Sequence, residues 1–155
     1  MGDTNQFSPA CVAKYDAGFE AAKARGVDIK ALIICNPHNP LGTLSYHNIR
    51  ELEQQLTRTG QCYPRETLIG LLKLCASKGI HLISDEIYAL TVYNRDDRVS
   101  ESFTSVRAID STGLIDPSLI HVLYGMSKDF GAGGMRLGCV ISQNEEFIKA
   151  TRAIW

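Results

Sequence analysis

Six side chains in three short clusters carry the chemistry open to this sequence. Asn39 lies in Asn36-Pro37-His38-Asn39-Pro40-Leu41-Gly42. Asp85 and Tyr88 lie in Asp85-Glu86-Ile87-Tyr88. Ser127 and Lys128 are adjacent, and Arg136 follows them past Gly131, Gly133 and Gly134. Together they offer an amide, a carboxylate, a phenol, a hydroxyl, an amine and a guanidinium. Each also has a plain reading when taken alone. A lysine is usually solvated, an aspartate after an apolar run caps a turn, and Asn-Pro pairs make turns. A tyrosine can fill a half-buried gap, and an arginine can sit on the surface. Glu86 reads as structural.

One chemistry needs the whole set. A lysine amine condenses with an aldehyde cofactor to give a Schiff base. A carboxylate keeps a pyridine nitrogen protonated, which makes the ring an electron sink. An amide and a phenol can hydrogen-bond a phenolic oxygen. A hydroxyl, glycine amides and an arginine can grip a phosphate. The cofactor so described is pyridoxal 5′-phosphate (PLP).

These clusters must be positioned by the elements before them. ALIIC, residues 31–35, is a short apolar run stopped by Asn36-Pro37, which predicts a buried strand. IHLIS at 80–84, IHVLY at 120–124 and LGCVIS at 137–142 predict three more. Helices are expected over 11–25, which is Ala-rich and stops at Gly26, and over 64–78, which opens on Pro64 and stops at Gly79. Leu68, Leu71, Leu72 and Cys75 fall on one face of the second helix. A short helix is expected within 99–109 and another over 144–154. Strands alternating with helices imply a mostly parallel sheet flanked by helices. The third and fourth strands are joined only by a glycine-rich loop, so they should pair antiparallel. Ligands of such sheets bind at the carboxyl ends of the strands, where each polar cluster falls.

Composition narrows the function further. The chain has 155 residues, 45% hydrophobic and 21% charged, with a formal net charge of −1. That suits about one folded domain and leaves no basic footprint for nucleic acid or an anionic membrane. The longest apolar run, Ala31 to Cys35, is far below the ~20 residues that span a bilayer. The first ten residues lack the basic and apolar regions of a secretory signal. Gln6 stands where a myristoylation motif wants Ser or Thr. The five cysteines contain no CxxC pair, as suits reduced thiols, so a cytoplasmic location is expected. Cys35 and Cys139 are expected to be small core residues. The four histidines show no metal-ligand spacing, and no metal is expected. Residues 131–136 lack the third glycine of a dinucleotide loop, no GxxxxGK[ST] loop occurs, and no serine has a GxSxG context.

The three blocks, Asn36-Pro-His-Asn-Pro-Leu-Gly42, Ser84-Asp-Glu-Ile-Tyr88 and Ser127-Lys-Asp-Phe-Gly131 with Gly134-Met-Arg-Leu-Gly138, resemble the signatures of fold-type I PLP enzymes. More narrowly, they resemble class I/II aminotransferases and the 1-aminocyclopropane-1-carboxylate (ACC) synthase-like proteins. The resemblance covers most of residues 30–155 and implies the following roles. Lys128 would form the Schiff base and move the α-proton. Asp85 would pair with the pyridinium nitrogen. Tyr88 and Asn39 would hydrogen-bond the phenolic oxygen, and Ser127 and Arg136 would bind the phosphate. Many relatives carry Ser or Thr two residues before this serine. Here the position is Gly125, which implies one phosphate contact fewer.

The implied fold is α/β: the central part of a PLP-dependent transferase large domain, truncated at both ends and spanning residues 1–155. The flanking parts of that family hold a ring-stacking aromatic and a substrate-carboxylate arginine. Residues 43–60 interrupt the family pattern between Gly42 and Gln61. They read as a translated intron or an insertion, in which Asn48 to Leu56 could form a polar helix. The implied activity is amino transfer between a small amino acid and a keto acid. ACC synthase-like elimination, C–S bond cleavage and an inactive fragment are the alternatives. The resemblance implies a homodimer for full-length relatives.

Overall fold

A computed structural model describes residues 7–38, 61–92 and 103–153 of the chain. The first helix, α1, runs Cys11–Ala24 and is followed by β1, Ala31–Cys35. Helix α2 spans Arg65–Lys78, and β2 spans His81–Asp85. Then come β3, Ile120–Gly125, β4, Gly138–Ser142, and α3, Glu145–Arg152. The strands form one sheet in the order β1-β2-β3-β4. β1 to β3 are parallel, and β4 runs antiparallel to β3, as the short glycine-rich connection requires.

The apolar patterns explain the layers. Ile34, Leu82, Ile120 and Val122 point from adjacent strands to one face of the sheet. Against them sits the predicted face of α2, with Leu68, Leu71, Leu72 and Cys75 all at 0% exposure. Each such leucine stabilises the fold by about 1.5–3 kcal/mol through burial alone. Burial also pushes the Cys75 thiol up to about 12, so it stays a protonated, inert filler. α2 ends at Gly79, whose φ of 64° is left-handed and suits glycine. Lys78 in its last turn reaches Asp16 at 2.7 Å and also pairs with Glu20, both on α1. Asn144 caps α3 by accepting from the Phe147 N–H at 2.9 Å. No described helix is long and apolar enough to cross a membrane.

Two expectations need correction. Cys35 is only half-buried and Cys139 is exposed. Cys139 lies on β4, the edge strand among the described residues, where Gly138, Cys139 and Ile141 are exposed and Val140 and Ser142 half-buried. The short helix expected within 99–109 is, among the described residues, a single 3-10 turn at Val106–Ala108, opened by the Ser105 hydroxyl accepting from Arg107 N–H. Residues 39–60, with the candidate Asn39 and the segment 43–60, lie outside the described residues.

Candidate active site at the carboxyl ends of the strands

The site is built where β1, β2 and β3 end side by side. Cys35, Asp85 and Leu123 are register partners across the three strands. Asp85 closes β2, and its Oδ1 accepts from Ile87 N–H at 3.2 Å, which turns the chain toward Tyr88. From the neighbouring strand end, Lys128 brings its Nζ to 5.7 Å from the centroid of the Tyr88 ring. That is within cation–π range. Lys128 is exposed and forms no ion pair among the described residues. The structure therefore brings Asp85, Tyr88 and Lys128 to one edge.

Ser127 and Arg136 meet through Gly133. A Cβ placed on Gly133 would lie 3.8 Å from Ser127 Cβ, and the Arg136 guanidinium donates from Nη1 to the Gly133 carbonyl at 3.3 Å. Arg136 is also the one non-glycine with positive φ among the described residues, at 53°. Such a conformation costs of order 1 kcal/mol and concentrates at functional sites. Gly125 sits opposite Gly138, and a Cβ on it would lie 3.2 Å from the Leu137 carbonyl. Close strand approach is the physical reason for glycine where the resemblance leads one to expect a hydroxyl.

Beneath this edge lies a polar support that the sequence did not reveal. Asn36, at 0% exposure, follows β1. Its Oδ1 accepts from Tyr63 N–H at 3.0 Å, and its Nδ2 donates to the Thr104 carbonyl at 3.1 Å. Glu86, at 3% exposure, follows β2. Its Oε1 accepts from the Ser84 hydroxyl at 3.0 Å and from Val106 N–H at 3.1 Å. Burial pushes the Glu86 carboxyl above its ordinary range, against the pull of its hydrogen-bond donors. Two adjacent strand ends thus hold the same segment, 104–106, through buried side chains. A polar residue directly after an apolar strand is the only sequence signal of this arrangement. Near Asn36, His38 N–H donates to the Gln61 carbonyl at 2.9 Å, closing an isolated antiparallel bridge.

The donor set matches PLP group by group. It offers, at Lys128, an amine with no ion pair among the described residues, a carboxylate at Asp85, a phenol at Tyr88, and a hydroxyl with a guanidinium at Ser127 and Arg136.

Comparison with known proteins bears on the family and the fold. Residues 58–154 match the profile of the family described as aminotransferase class I and II. The chain is 41% identical over 128 residues to "Probable aminotransferase tcpI" of Claviceps purpurea, covering 81% of this chain and 25% of that protein. It is 35% identical over 137 residues to 1-aminocyclopropane-1-carboxylate synthase 1 of Prunus mume, covering 88% of this chain and 23% of that one. A Thermus thermophilus aspartate aminotransferase variant superposes with a TM-score of 0.57 at 26% identity, over 86% of this chain and 28% of that one. The chain thus spans about a quarter of the length of the relatives it matches. With a profile match over more than half its residues, the chain belongs to the aminotransferase class I and II family.

Proposed function

We propose that this chain carries the PLP-anchoring part of an aminotransferase acting on a small amino acid, with a keto acid as the second substrate. The observation that carries the reading is Lys128 Nζ facing the Tyr88 ring at 5.7 Å, beside Asp85 at the end of β2. PLP, when bound, supplies an electron sink for negative charge on carbon. The chain's own residues supply the rest. Lys128 holds the cofactor covalently through its amine and moves the proton at the substrate α-carbon as general base. Asp85, with Oδ1 already engaged by Ile87, offers Oδ2 to the ring nitrogen. Tyr88 and Asn39 donate to the phenolic oxygen. Ser127 and Arg136 hold the phosphate, with one contact fewer because of Gly125.

The reading extends to the rest of the protein. Residues 1–155 correspond to the central part of the large domain, and 43–60 are an inserted or intron-derived segment. The His38–Gln61 bridge supports this, because it brings the two flanks of the segment together at one point. A cytoplasmic homodimer is the expected assembly of the full-length enzyme. The 35% identity to an ACC synthase favours elimination as the second reaction type. Release of the sulfur leaving group or of ammonia, without need of a keto acid, would mark it.

The test is cofactor trapping. The 155-residue chain is mixed with PLP, reduced with borohydride and mapped by mass spectrometry, with Lys128→Ala as control. Stoichiometric label at Lys128, absent in the variant, is expected. Label scattered over surface lysines would refute the assignment and favour an inactive fragment.

A further inference from the structure

We infer that Asp129 is a positioning residue of this site, docking the Tyr88 turn onto the Lys128 loop. Its Oδ2 accepts from Leu90 N–H at 2.9 Å and from the Tyr124 hydroxyl at 2.7 Å. Leu90 belongs to the 3-10 turn Ala89–Thr91, which Tyr88 opens. Tyr124 belongs to β3, just before the loop that carries Lys128. One carboxylate oxygen therefore joins the turn after β2 to the strand and loop after it.

Neither turn is held by packing alone. Leu90 in the first turn is 66% exposed and Phe130 in the second 57%, so neither buries an apolar anchor. Within each turn the backbone is already closed. Thr91 N–H donates to the Tyr88 carbonyl at 3.0 Å, and Gly131 N–H donates to the Lys128 carbonyl at 3.1 Å. Two internally closed turns move as small rigid bodies, and Asp129 sets their relation. Burial, then the bond to Asp129, pushes the Tyr124 phenol up to about 12, so it remains a donor throughout the working range. Asp129 Oδ1 is buried and unpartnered among the described residues. A carboxylate that gives up solvation this way is retained for the position of Oδ2, not for solubility. Its consequence is the 5.7 Å placement of Lys128 Nζ over Tyr88.

This inference rests on the reading of Lys128 and Tyr88 as cofactor ligands, and the experiment separates the two. Amide exchange is followed by NMR in the 155-residue chain, in Asp129→Leu, in Asp129→Asn and in Tyr124→Phe. PLP trapping at Lys128 is measured on the same samples. In Asp129→Leu, Leu90 exchange should accelerate roughly tenfold, as expected for losing a hydrogen bond to a charged acceptor, while Leu82 and Val122 hold their rates. Trapping at Lys128 should fall several-fold in parallel. Asp129→Asn keeps an oxygen for both donors and should restore slow Leu90 exchange and trapping. Tyr124→Phe removes one donor and carries the test if Asp129→Leu does not fold. It should speed Leu90 exchange by a smaller factor and lower trapping. Unchanged Leu90 exchange, or Leu90 and strand amides accelerating together, would overturn the inference. Failure of trapping in the unsubstituted chain would refute the cofactor reading, and the exchange data would still decide the role of Asp129.

Discussion

Acidification should loosen this fold through one histidine far from the site. His121 lies on β3 at 0% exposure. Its Nδ1 is 2.8 Å from the Ser142 hydroxyl, its Nε2 is 2.8 Å from His81 Nδ1, and its ring stacks on Phe147 at 4.0 Å. The Ser142 oxygen also accepts from Asn144 N–H at 2.9 Å. Burial, then repulsion from His81, lowers His121 from 6.5 to about 4. The folded state therefore resists a proton that the unfolded chain takes up readily. Stability is fully present above pH 6.5 and is lost as pH falls toward 4. At about 1.4 kcal/mol per pH unit, the full loss is about 3 kcal/mol, and about 2 kcal/mol of it is gone by pH 5. Urea unfolding at pH 7 and pH 5 reads this directly. The midpoint should drop by roughly 1–2 M in the unsubstituted chain. His121→Gln cannot titrate, and its midpoint should drop by much less over the same interval. Equal drops in the two proteins would refute the assignment of acid sensitivity to His121.

Two further substitutions probe the frame of the site. Asn36→Ala strands the buried Tyr63 N–H and the Thr104 carbonyl, and should cost about 2–5 kcal/mol in urea unfolding. A cost below about 1 kcal/mol would mean that water replaces the amide. Gly125→Ser pushes a Cβ to 3.2 Å from the Leu137 carbonyl and should destabilise by about 1–3 kcal/mol in thermal melts. A neutral result would show that β4 can shift away.

The parts of the structure legible in the sequence are those governed by local pattern. ALIIC became a strand over its full length, because five apolar residues bounded by Asn36-Pro37 have few other places to go. The face of α2 followed from the spacing of Leu68, Leu71, Leu72 and Cys75. The antiparallel placement of β4 followed from a connection too short for a crossover helix. Of the candidate site, Asp85, Tyr88 and Lys128 come together at neighbouring strand ends, as the alternation of elements implied. What stayed hidden depends on partners distant in sequence. Asn36 reads as a turn residue until Tyr63 and Thr104 are found beside it. Glu86 reads as ordinary until Val106 closes on it, 20 residues away. The pairing of His81 with His121 spans 40 residues and has no periodic signature. Exposure of Cys139 was illegible for the opposite reason: an apolar stretch marks a strand but does not say which neighbours cover it.

The pinning of His38 to Gln61 has an evolutionary corollary. His38 and Gln61, 23 positions apart in sequence, meet at one hydrogen-bonded point. Between ends so held, a flexible connection that grows from 4 residues to 22 would add only about 1.5 kcal/mol of closure entropy. Mutational growth at this point leaves the registers of β1 and β2 untouched, so an accidental extension of the coding sequence meets weak selection against it. A terminus of β3 would offer no such tolerance, since Asp129 and Gly125 there tie the chain to neighbours on both sides. The bridge is thus a natural splice point in the protein itself.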